Sequence, residues 1–270
     1  MRRLFRTGLL WIVLASSIGL SVLPSMASAD RIELDTGFGN DGYSVGEGLD
    51  VLSPPEVFPQ PGGGLLVSDR VGDIDRLDAQ GNPDPWGRFD YPVRTWGWEP
   101  YTEDIALQGK KIIAAGWFSE TSADDPTFEY QRRFIYRLTT RSRIDRSFGH
   151  RGRIPAKWDG QGSVFKDIEV TEDGKILAAG GRGIAQNPNP EAVATITRYR
   201  PNGALDRSFA EKGTFYLTRR GSPDSFREFD TILEAGGGGV LAAGYNGDRT
   251  VVVKLTKNGK GTAGSAGETA

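Results

Sequence analysis

Three aspartates recur in the same local setting, and they are the first residues of this 270-residue chain that could act as a set. Asp35, Asp145 and Asp206 each stand three positions before Phe38, Phe148 and Phe209, and Gly39 and Gly149 follow two of those phenylalanines. Gathered on one axis, the carboxylates would make a ring of ligands for a cation or a sugar. Their repetition argues for architecture instead. An aspartate at the head of a loop accepts the amides of its own turn, the phenylalanines plug between units, and glycine permits a left-handed turn.

The other reactive groups are sparse. His150 is the single histidine, and the sister repeats carry Asn40 and Glu211 at its position, so it reads as an ordinary loop residue rather than a general base. The chain has no cysteine, which removes thiol nucleophiles and thiolate metal sites. Carboxylates cluster at Asp73, Asp75 and Asp78, at Asp124 and Asp125, and at Glu99, Glu103 and Asp104. Two of them about 5–10 Å apart would suffice for glycoside hydrolysis, but their settings read as solvated turns and strand faces. No calcium loop, nucleophile elbow, Walker or dinucleotide motif is present. The reading is therefore no catalytic residues, no metal and no cofactor.

Aromatic residues are the more distinctive chemistry. Trp86, Phe89, Tyr91, Trp96, Trp98 and Tyr101 crowd one short stretch, and Trp117 follows. Flat rings of this kind stack on sugars or anchor a protein partner. Trp96, Trp98, Tyr101 and Trp117 are the candidate ligand-binding residues. The competing reading is a shortened unit repacked by large side chains.

The elements that would position these residues repeat. Leu34 to Gly42 returns as Ile144 to Gly152 and as Leu205 to Gly213, with a degraded copy at Pro83 to Gly87. The aspartates at 35, 84, 145 and 206 are spaced by 49, 61 and 61 residues. A second motif alternates with them: Gly109 to Gly116, Asp173 to Gly180, Gly238 to Gly244 and, more loosely, Gly63 to Val67. Paired glycines or Asp-Gly between apolar runs specify a hairpin. A third strand follows in each unit, as in Phe134 to Leu138, Thr195 to Tyr199 and Val251 to Leu255. About four short strands in ~50–60 residues is the scale of a propeller blade.

Joined together, the Leu-Asp-x-Ser-Phe-Gly loop, the Asp-Gly-Lys-Ile-Leu-Ala-Ala-Gly hairpin and the Arg-Tyr-x-Pro-Asn-Gly turn resemble the bacterial delta-60 repeats. These are β repeats of about 55 residues from exported and surface proteins. The resemblance covers most of 31–259 and is strongest over 144–213. It implies an all-β, β-propeller-like fold and brings no catalytic residues with it. The expected architecture is about four blades of four short antiparallel strands, with residues 31–45 completing the last blade. An open array is the alternative.

Composition sets the remaining bounds. Thirty-seven glycines without a collagen period fit many tight turns. Arg2, Arg3 and Arg6, the apolar run Gly8 to Leu23 and Ala27-Ser28-Ala29 form an export leader over 1–29. An uncleaved anchor is the alternative, although the run is shorter than a membrane span. The expected domain is 30–260, with a flexible Gly/Ala-rich tail over 261–270 and no membrane span in the mature chain. The net charge of −2 argues against nucleic acid as a partner. The function expected is an exported module that binds a protein or polysaccharide without catalysis. The alternatives are a propeller-scaffold glycosidase or lyase and a purely structural envelope component.

Overall fold

The computed structural model describes residues 34–41, 43–44, 56–68, 74–84, 100–121, 129–154, 162–183, 193–217, 228–246 and 249–261. The chain divides into two compact units, 1–43 and 44–270. In the first, Asp35 opens a tight loop: its carbonyl accepts the Phe38 amide and its Oδ1 accepts that of Gly37. Asn40 then pairs with Tyr43.

The second unit is a succession of four antiparallel sheets, each an up-and-down meander. Blade 1 holds β1 (Glu56–Pro59), β2 (Leu65–Ser68) and β3 (Ile74–Leu77). Blade 2 holds β4 (Pro100–Gln108), β5 (Lys111–Thr121), β6 (Glu129–Leu138) and β7 (Arg153–Ile154). Blade 3 holds β8 (Ser163–Val170), β9 (Ile176–Arg182), β10 (Val193–Tyr199) and β11 (Thr214–Tyr216). Blade 4 holds β12 (Thr231–Ala235), β13 (Gly239–Asn246) and β14 (Arg249–Leu255). The fold is all-β and propeller-like with four blades. Blades 1 and 4 show three strands rather than the expected four among the described residues. The expected joining of 31–45 to the last blade falls partly on residues outside the described ones.

Packing explains the recurring Ala-Ala-Gly. Ile113, Ala115 and Ile135 of blade 2 close against Phe165, Ile168, Ile176 and Ala178 of blade 3. Leu177, Ala179 and Ile196 of blade 3 close in the same way against Phe229, Ile232, Val240 and Ala242 of blade 4. Small side chains at the middle of each second strand let neighbouring sheets approach. The glycine that follows answers a different demand. β4 and β8 each carry a bulge opposite it, between Thr102 and Asp104 and between Phe165 and Asp167. A Cβ on Gly180 would lie 2.2 Å from the Val164 carbonyl oxygen, and one on Gly116 1.9 Å from that of Tyr101.

The aspartate loops staple consecutive blades. Arg137 donates from Nε to Asp145 (2.9 Å), from Nη1 to the Pro201 carbonyl of the next blade (2.8 Å), and lies over the Phe148 ring. Phe148 is fully buried and abuts Gly203, while the Gly149 amide donates to the Asn202 carbonyl. Arg198 repeats the pattern with Asp206, the Lys257 carbonyl and Phe209, which is likewise fully buried. Arg76 reaches the Thr140 carbonyl at 2.6 Å, one blade earlier. Burial works against charge on Asp145, but Lys111, Ser147 and Arg137 more than offset it and hold its carboxyl well below the usual range. Asp206 is lowered too: burial is outweighed by Ser208 and Arg198. His150 and Glu211 are exposed at the loop tips.

Candidate functional site

Strand direction gives the blades two unlike ends. The turns at Gly109, Gly174 and Gly237, the aspartate loops and the Pro-Asn-Gly turn all lie at one end, which is occupied by the staples. The other end carries the starts of β4, β8 and β12 and the ends of β5, β9 and β13. Tyr101, near the start of β4, and Trp117, near the end of β5, lie at this second end.

Tyr101 and Trp117 face each other across β4 and β5, and their rings stack at 4.3 Å with 15° between planes. Tyr101 is 40% exposed. The Trp117 Nε1–H donates to Glu103 Oε1 at 2.7 Å, which fixes the indole. Glu103 also accepts from Lys166 Nζ at 2.9 Å. Both members of that ion pair are the extra residues of their bulges, so the bulge that requires Gly116 and Gly180 turns Glu103 and Lys166 toward each other. Burial pulls Lys166 down, and the carboxylates of Glu103, Glu228 and Asp230 more than reverse this, holding its ammonium above the usual lysine range.

One residue deeper, Asp104 Oδ2 accepts the Ile168 amide at 2.9 Å, and Asp167 Oδ2 accepts the Ile232 amide at 2.6 Å. Each inner strand thus hands a carboxyl to the backbone of the next blade. Burial, then hydrogen bonding to Asp167 and the charge of Asp167, push Asp104 up to about 9. The protonated form of Asp104 is thereby favoured at neutral pH beside the Asp167 carboxyl. Glu169 is also raised, by burial and then by Asp167 and Glu234. This corrects the reading of Glu103 and Asp104 as solvated faces: one is tied to Trp117 and Lys166, the other to the next blade.

No protein-family model matches the chain, and no curated protein matches it as a relative. Its fold is similar to solved structures at low identity. A GH43_1 enzyme from Xanthomonas citri aligns at 14% identity over 75% of this chain and 69% of its own, with a TM-score of 0.44. A glucose dehydrogenase aligns at 11% over 76% and 60%, TM-score 0.46. A putative oxidoreductase (glucose dehydrogenase) from Thermus thermophilus aligns at 18% over 78% and 65%, TM-score 0.45. No residue role transfers at this distance.

Of the four aromatic candidates, Tyr101 and Trp117 are brought together, while Trp96 and Trp98 lie outside the described residues, as do Glu99, Asp73, Asp124 and Asp125. Asp78 serves its own turn, accepting the amides of Gln80 and Asn82. Lys166 and Asp167 were missed by sequence reasoning. A signal existed: Glu103-Asp104-Ile105 and Lys166-Asp167-Ile168 put Asp-Ile at one register in successive repeats.

A concavity lies at the staple end between blades 3 and 4. It holds about 530 Å³ and is lined by Lys175, Arg200, Lys257, Asp173 and Glu234 among others. The equivalent space between blades 2 and 3 is crossed by Gln108, which donates to the carbonyls of Gly174 and Pro201. Thr171 stands at the matching position in blade 3 and is too short to span it.

The buried pair makes a test of its own. An unfolded aspartate loses its proton near pH 4, whereas folded Asp104 keeps it to about 9. The folded chain carries the extra proton throughout that window, so this site's contribution falls as pH rises across it. Asn at this position keeps the acceptor for Ile168 and offers Asp167 a permanent donor. Asp104→Asn is expected to be nearly neutral at pH 5 and to melt higher than the wild type at pH 9. Melting curves at both values check this.

Proposed function

We propose that the protein is an exported binding module that takes a polysaccharide on the Tyr101–Trp117 face, with no bond made or broken there. The single observation that carries this is an aromatic platform, partly open to solvent, held rigid by Glu103 and flanked by Lys166. Sugar rings present apolar C–H faces to such a platform and hydroxyls to the carboxylate and ammonium beside it. Rigid anchoring matters because little ordering cost remains on binding. The leader expected over 1–29 from its arginines, apolar run and Ala27-Ser28-Ala29 is the sequence feature that supports export. A protein partner anchored on the same rings is the other outcome the surface supports.

The glycosidase reading fits the carboxyls less well. Hydrolysis needs two groups about 5–10 Å apart with water or sugar between them. Asp104 and Asp167 instead lie against each other, and each accepts a backbone amide of the following blade.

The experiment is a titration calorimetry panel of xylan, arabinan, β-glucan and alginate oligosaccharides, each also assayed for new reducing ends. The expected result is binding to at least one with no product. Tyr101→Ala should weaken that binding about 30-fold, as loss of an anchoring ring worth ~2 kcal/mol does. Release of reducing ends, or unchanged affinity in Tyr101→Ala, would overturn the proposal.

A further inference from the structure

Each blade has a leading face, turned to the next blade, and a trailing face, turned to the one before. The trailing face is Ile168, Ile176 and Ala178 in blade 3, and Ile232, Val240 and Ala242 in blade 4. The strand registers place Val57, Leu65 and Val67 of blade 1 at those same positions. The leading face is Ile113, Ala115 and Ile135 in blade 2, and Leu177, Ala179 and Ile196 in blade 3. Leu241, Ala243 and Val252 are its counterparts in blade 4.

Burial separates these equivalents sharply. Ile135 and Ile196 are 0% exposed, and Val252 at the same position is 49% exposed. Ile105, Ile168 and Ile232 are 4% exposed or less, and Val57 at their position is 56% exposed. Leu233, on the same face as Leu241, is 48% exposed. The first and last sheets therefore present a trailing and a leading apolar face that the described residues do not cover with one another. Each has the composition that the internal junctions bury.

We propose that a second copy of this chain covers both. Blade 4 of each copy packs on blade 1 of the other, continuing the three internal junctions twice over and closing a two-fold-related ring of eight blades. One chain offers one face of each kind, so two copies satisfy all four at once, and the contact is reciprocal as two-fold symmetry requires. Eight blades lie within the range of closed propellers.

Residue pairing follows from the internal junctions, where Ile135 meets the Ile168 cluster and Ile196 the Ile232 cluster. Val252 of one copy should thus approach Val57 of the other. The absence of cysteine makes the test clean. Val57→Cys and Val252→Cys are made as separate full-length variants, carried on distinct tags, co-expressed and oxidised. The expected result is a disulfide-linked heterodimer, and light scattering of the wild type at twice the chain mass. A monomeric mass would overturn the proposal. So would a Val57→Cys/Val252→Cys double variant that closes an internal bond while the co-expressed single variants stay unlinked, because that places the two faces together within one chain.

Discussion

Phe148→Ala is expected to cost about 3–5 kcal/mol, the range for emptying a buried aromatic site. The ring is fully buried, its far edge rests on Gly203 of the following blade, and Arg137 lies 4.6 Å above it. Truncation opens a cavity where two sheets are joined and leaves the guanidinium without its aromatic floor. A typical domain has only about 5–15 kcal/mol in all. In a chain of this size a loss of that order lowers Tm by roughly 10 °C. Phe209→Ala should match it, since Phe209 is equally buried under Arg198. Phe38→Ala should cost less, because Phe38 is only partly buried in its own unit. Calorimetric melting of the three variants checks both the size and the order.

Gly180→Ala is the second large effect. The added methyl would sit 2.2 Å from the Val164 carbonyl oxygen and 2.9 Å from the Phe165 Cα. Both neighbours are backbone, so relief requires moving β8 away from β9 and flattening the bulge. That bulge aims Lys166 at Glu103 and Asp167 at the Ile232 amide, so the cost spreads to two junctions. Overpacking costs about 1–3 kcal/mol, and a clash with unyielding backbone puts Gly180→Ala at the upper end of that range. Gly236→Ala is the matched comparison: nothing lies within 4 Å of its added carbon and its backbone is not left-handed. Denaturant midpoints for the pair should therefore differ widely, with Gly236→Ala close to wild type.

Much of this architecture is legible because it repeats. The hairpin motif predicts β8–β9 and β12–β13 within a few residues, since glycine at the turn and alternating apolar residues leave little choice of register. The aspartate loops are legible for the same reason: Asp145, Phe148 and Gly149 recur with Asp206 and Phe209 in register, and each set closes its own turn and touches the next blade. What repetition cannot reveal is a contact made between non-identical residues. Glu103 and Lys166 occupy one register position in successive blades but carry opposite charge, so a comparison of repeats averages the pair away. The upward shift of Asp104 is equally hidden, because burial and a facing carboxyl are properties of two packed blades and not of either strand. The bulge is the link: Ala-Ala-Gly reads as a hairpin signature in the sequence, while its glycine is required by a carbonyl on the neighbouring strand.

The division of the molecule into a stapled end and an aromatic end is what gives the site its meaning. The repeated aspartate loops serve the first, and Tyr101 and Trp117, private to blade 2, stack at the second. The direct measurement is the thermal stabilisation that a bound polysaccharide confers on three chains: wild type, Tyr101→Ala, and Arg200→Ala at the cleft of the opposite end. A ligand that binds only the folded state at about 100 times its Kd adds ~2.7 kcal/mol. This gain is expected to vanish in Tyr101→Ala and to survive in Arg200→Ala. The reverse pattern would contradict binding on the aromatic face and move it to the cleft between blades 3 and 4.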